Sequence, residues 1–122
     1  MFQVSDQEFH ELINQAMSTL PKEHVKNLKN IALLVEDLPT PDQRVKLKLN
    51  GDQTLLGLYE GVPLSQRQGV QKVLPDKITL FKTPLESQAN SLNELKEQIR
   101  HTLWHEMAHY YGLDHPAIRA LE

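Results

Sequence analysis

His105-Glu106-Met107-Ala108-His109-Tyr110-Tyr111-Gly112-Leu113-Asp114-His115 is the stretch from which the rest of the chain can be read. Residues four apart on an α-helix are neighbours on one face, so a helix here stacks His105 and His109. Two imidazoles so placed suit a tetrahedral Zn²⁺, with room for a third protein ligand and a water. Glu106 lies beside the first imidazole, where its carboxylate can take a proton from such a water. Gly112 can end the helix in the left-handed region, which other residues enter only at a steric cost. The chain then doubles back, and His115 becomes the third candidate ligand. The glycine and the third histidine add two fixed positions to a bare H-E-x-x-H, which makes the full string far more specific.

Upstream, Ser91 and Glu94 have capping-box spacing, and Leu92, Leu95, Ile99 and Leu103 follow as the buried stripe of a long helix. Thr102, Glu106 and His109 sit at three- and four-residue steps, so the histidine face adjoins the core face. His101 precedes His105 by one turn and reads as a surface histidine. Pro84 to Ala89 suits a helical turn. Ile78-Thr79-Leu80-Phe81 reads as a strand: as the candidate sheet edge, because it immediately precedes the helical segment, or as an interior strand with nothing exposed. Leu55-Leu56-Gly57-Leu58-Tyr59 is a further strand, followed by the loop Glu60 to Ser65.

Arg44-Val45-Lys46-Leu47-Lys48-Leu49 alternates strictly before Asn50-Gly51, a favoured hairpin turn, and predicts an amphipathic strand, although the segment is polar enough for a helical turn or a mobile stretch. Pro39 to Asp42 reads as a loop. Ile31-Ala32-Leu33-Leu34-Val35 suits a buried strand closed by Glu36-Asp37-Leu38-Pro39. At the N-terminus Ser5 and Glu8 again have capping-box spacing. Phe9, Leu12, Ile13, Ala16, Met17 and Leu20 then keep helical spacing until Pro21. That stripe is core. His10 faces solvent, and His24 carries no functional reading.

A length of 122 residues predicts one domain, 1–122, with a single modest core. Hydrophobic content of 39% and charged content of 24% are those of an ordinary globular protein. A net charge of −3 gives no reason to expect nucleic acid or an anionic membrane as a partner. There is no cysteine, so a metal site must use histidine and carboxylate. Met1 to Glu8 has neither a basic n-region nor an apolar h-region, and no apolar stretch approaches the roughly 20 residues of a membrane span. A cytoplasmic protein is expected; the oligomeric state has no signature in the sequence.

The motif helix resembles those of the zincin metallopeptidases. Leu55 to Leu64, then Pro75 to Phe81, then Arg100 to Gly112, three blocks in that order, resemble the small single-domain bacterial zincin-like metallopeptidases. The likeness runs over roughly residues 31 to 116. It implies an α+β, minimal zincin-like fold, a small mixed sheet packed on helices, with a C-terminal active-site helix. It also implies a zinc-dependent peptidase, and places Glu60, Ser65 and Arg67 on a loop bordering the cleft. The eleven-residue string is shared with metzincins, but those carry a methionine turn well downstream, and none of the seven residues after His115 is methionine. Members of the small family often have an acidic residue near the third-ligand position, where this chain offers both Asp114 and His115. The offset from Gly112 and the affinity of neutral imidazole for zinc favour His115, with Asp114 orienting a ligand.

The expected site is thus His105, His109 and His115 as zinc ligands and Glu106 as general base. Zinc would bring its bound water towards a pKa of ~7 and polarise a scissile carbonyl. Tyr59, Tyr110 and Tyr111 are candidates to stabilise the developing oxyanion, although packing is the commoner role of such aromatics. The leading expectation is a peptidase acting on peptides or unfolded protein segments, with hydrolysis of a non-peptide amide using the same residues. The alternative from another class is a metal-binding or protein-interaction module on a zincin scaffold; a module without turnover has no need of Glu106.

Overall fold

Ser5 starts the first helix with two reciprocal hydrogen bonds. Its Oγ accepts the Glu8 N–H at 3.1 Å, and the Glu8 carboxylate accepts the Ser5 N–H at 3.3 Å. Helix α1 then runs Asp6–Ser18 and buries Phe9, Leu12, Ile13 and Ala16. The structure, a computed structural model, describes residues 3–22, 31–51, 54–61 and 76–112. Losing the Ser5 cap in Ser5→Ala should destabilise the protein by about 1 kcal/mol, measured as a shift of the urea midpoint.

Three strands form one mixed sheet: β1 (Ile31–Glu36), β2 (Gly57–Glu60) and β3 (Asp76–Phe81), in the order β1-β3-β2. β1 pairs with β3 in parallel, Ile31 opposite Asp76, and β2 pairs with β3 antiparallel, Tyr59 opposite Ile78. Of the two readings of Ile78–Phe81, edge and interior, the sheet order selects the interior one. Its neighbours close both edges of β3, and Ile78, Thr79, Leu80 and Phe81 are all buried, the pattern of a strand covered on both faces. β1 corrects its expectation the other way: with one partner among the described residues, it leaves Leu33 and Leu34 exposed.

Arg44–Leu49 is not a strand. Helix α2 covers Pro41–Lys46 and starts at a capping box, Thr40 accepting from the Gln43 N–H and Gln43 from the Thr40 N–H, with Pro41 in the first turn. Alternation signals a strand only where one face is covered, and nothing in α2 is buried; Val45 is 78% exposed. Local capping therefore decides the conformation. The Arg44 guanidinium donates to the carbonyls of Asn50 and Gly51, the residues expected to form a hairpin turn.

The chain leaves β3 directly into α3 (Lys82–Ser87), which ties down the start of α1. Buried Glu86 accepts the Val4 N–H at 2.8 Å, and Lys82 meets Asp6 at the surface. Helix α4 (Leu92–Tyr111) begins at Ser91, whose side chain accepts the Glu94 N–H. The Glu94 carboxylate turns to the Asn90 N–H instead of closing the box. Leu95, Ile99 and Leu103 are fully buried, but Leu92 is 48% exposed, because it lines an open hollow between the first turn of α4 and Glu8, Glu11, Leu12 and Gln15 of α1. Further along, α4 packs on α1, on α3 and on the β2–β3 face of the sheet. This shared cover buries residues nearly all round the helix from Thr102 to Tyr110. The fold is α+β, a small mixed sheet on helices with the long helix last among the described elements.

Candidate metal site

The C-terminal half of α4 brings the histidines together as helical spacing requires. The His105 and His109 rings lie 4.9 Å apart between centroids at 71°, and both residues are half-buried. Glu106 is buried, and one donor atom from each of His105, Glu106 and His109 lies within 4.8 Å of the others, close enough to hold a metal ion. Gly112 closes the helix at φ 80°, ψ 21°, its N–H donating to the His109 carbonyl at 2.9 Å. The negative end of the helix dipole thus lies at His109, which favours a cation there.

Strand β2 supplies the wall. Tyr59 donates its backbone N–H to Glu106 Oε1 at 2.9 Å, across 47 residues of sequence. Burial raises the Glu106 carboxyl to about 7, and the Tyr59 N–H, which favours the charged form, opposes the rise. Such a group is poised to exchange a proton near neutral pH. The close approach depends on Gly57. A Cβ there would lie 2.7 Å from Thr102 Cγ2 and 3.3 Å from Glu106 Cγ. Thr102, one turn before Glu106, also buries a hydroxyl that has no hydrogen-bond partner.

Tyr59 reaches the site from the strand itself, and through its main chain. Its hydroxyl is engaged by Asp76 at 2.7 Å, and its ring meets the edge of Tyr110 at 6.0 Å between centroids. Tyr110 is buried between Tyr59 and Tyr111. Glu60 ends β2, half-buried, with Lys77 Nζ 3.6 Å from its carboxylate. His101 and His10 are exposed, and neither belongs to the metal-binding group. Asp114, His115, Ser65 and Arg67 lie outside the described residues. Sequence reasoning passed over Gly57, Gly61 and Asp76. The signal available for them was the pair of glycines bracketing a tyrosine, Gly57-Leu58-Tyr59-Glu60-Gly61.

Among the described residues no helix is long and apolar enough to cross a membrane. Residues 28–122 match the family described as zincin-like metallopeptidases. No curated protein sequence is significantly similar to the chain. A solved structure of a conserved hypothetical protein from T. thermophilus is similar in fold, with a TM-score of 0.61. It is 20% identical in sequence, and the match covers 88% of this chain and 94% of that one.

Proposed function

The chain belongs to the zincin-like metallopeptidase family, and from that premise we propose that it is a zinc-dependent peptidase acting on peptides or unfolded protein segments in the cytoplasm. One observation carries the reading: a buried carboxylate, Glu106, sits within ligand distance of two imidazoles and is held by a main-chain N–H from the sheet. Burial raises this carboxyl to about 7, as suits a group that takes and gives a proton near neutral pH.

The donor set fits zinc: two imidazoles at one end of a helix, a carboxylate beside them, and no thiolate in the chain. His105 and His109 would hold the ion, with His115 completing the set. Zinc, when bound, supplies Lewis acidity towards the scissile carbonyl and a more acidic water. Glu106 takes the proton of the attacking water and passes it to the leaving amine. Tyr59 holds that carboxylate in place through its N–H. Among the described residues β1 and β2 flank β3, and backbone pairing with an extended substrate is assigned to β2, the one of the two packed against α4.

Elemental analysis of the purified wild type and His109→Ala tests the site. About one zinc per chain is expected in the wild type, and its loss in the variant. A wild type that takes up no zinc even on incubation with the ion would overturn the proposal.

A further inference from the structure

The parity of the β2–β3 ladder decides where Tyr59 can send its N–H. The Phe81 N–H donates to the Leu56 carbonyl at 3.0 Å, which places that pair among those bonded across the ladder. In an antiparallel pair bonded and non-bonded positions alternate, so Leu58–Thr79 and Glu60–Lys77 share its class. Gly57 and Tyr59 therefore turn their main-chain groups away from β3. Glu106 takes the outward N–H of Tyr59. The Leu58 carbonyl of the same planar peptide group is bonded to Thr79, so the ladder sets the direction of this N–H, while its distance from α4 depends on what anchors the Tyr59 side chain.

That anchor is Asp76. It opens β3, is 2% exposed, and accepts the Tyr59 hydroxyl at 2.7 Å, while the Tyr59 ring rests edge-on against Tyr110. Both flanking glycines make room for the arrangement. A Cβ at Gly57 would strike Thr102, and one at Gly61 would overlap the Asp76 carboxyl group itself. Gly61 also adopts φ 155°, a backbone region other residues rarely enter. Two independent contacts thus converge on one tyrosine, its hydroxyl fixed at one end and its amide presented to Glu106 at the other.

We propose that Asp76 is a positioning residue for Glu106, acting through Tyr59: it fixes the phenol, the phenol fixes the strand, and the strand amide holds the carboxylate. The consequence for hydrolysis rests on the peptidase reading above; the hold on Glu106 does not. A cross-strand pin of purely structural value would instead stabilise β2 and β3 together, without a distinct effect at the Tyr59 amide.

Hydrogen exchange followed by NMR on the zinc-free protein separates these, with Glu106→Ala marking the Tyr59 amide by removing its acceptor. Asp76→Ala and Tyr59→Phe should each speed exchange at Tyr59 by about tenfold or more, with the Leu58, Thr79 and Phe81 amides, which belong to the β2–β3 ladder, as protected as in wild type. Asp76→Asn, which keeps an acceptor oxygen, should restore the wild-type rate. In the zinc-loaded protein with casein as substrate, Asp76→Ala and Tyr59→Phe should lower kcat about 10- to 100-fold, with KM and zinc content unchanged. The double variant should be no worse than either single one. Equal loss of protection along β2 and β3, or unchanged protection at Tyr59, overturns the proposal. So does faster exchange at Tyr59 with kcat unaltered. A wild type that binds zinc but hydrolyses nothing would defeat the peptidase reading, and the Tyr59 exchange rates alone would then decide whether Asp76 holds Glu106.

Discussion

Glu106→Gln is expected to reduce peptide hydrolysis by about a thousandfold, the middle of the range for a lost general acid–base, while zinc content stays at the wild-type level. Glutamine keeps an oxygen to accept the Tyr59 N–H, so the wall built by β2 should remain, and only proton transfer is removed. The same substitution has an opposite effect on the stability of the zinc-free protein. Burial raises the Glu106 carboxyl from 4.5 to about 7. Between those values the folded state retains a proton that the unfolded state has released, so stability falls as pH rises through that window. The penalty is absent below the lower value and complete above the upper one. Glutamine does not titrate. Zinc-free Glu106→Gln should therefore be more stable than wild type at pH 8, by on the order of 2 kcal/mol, and nearly equal to it at pH 4.5. Urea unfolding of both proteins at the two pH values measures this. Zinc favours the charged carboxylate, so loading the protein should shrink the difference. A variant that hydrolyses substrate at the wild-type rate would remove Glu106 from the chemistry.

Gly57→Val should be the most damaging single change at the helix–sheet contact, lowering stability by about 3 kcal/mol, the upper part of the usual range for overpacking. The added Cβ would come to 2.7 Å from Thr102 Cγ2 and 3.3 Å from both Glu106 Cγ and the Thr79 carbonyl. Thr79 belongs to the central strand and Thr102 to the buried middle of α4, so neither can withdraw without disturbing the core. The expected response is that β2 lifts from α4, which lengthens the Tyr59–Glu106 hydrogen bond. Activity should then fall with stability, while His105 and His109, both on α4, keep their relation to each other. Gly51→Ala is the control, since a Cβ there meets nothing within 4 Å; its effect should be within about 0.5 kcal/mol. A Gly57→Val protein with the wild-type urea midpoint would mean that the two layers can separate without loss.

Features whose parts lie within a few residues of one another were readable along the chain. The caps at Ser5 and Ser91, the stripe Phe9 to Ala16, and the pairing of His105 with His109 all depend on helical geometry alone. So does the left-handed stop at Gly112. Where two local signals compete, the capping box at Thr40 and Gln43 outweighs the alternation of Arg44 to Leu49, because nothing in that helix is buried to reward a strand. Which strand lies inside the sheet could not be read in this way. A run such as Ile78 to Phe81 looks alike at an edge and at the centre, and its place depends on partners some twenty to forty-five residues earlier in sequence. The hold on Glu106 is of the same kind. It needs an amide 47 residues away, turned outward by ladder parity and brought close by a glycine that lacks a side chain. Helical neighbours are set by a fixed rise and rotation per residue, so order along the chain suffices to place them. Contacts between layers are set by which surfaces exclude water together, and those surfaces exist only once the chain has folded.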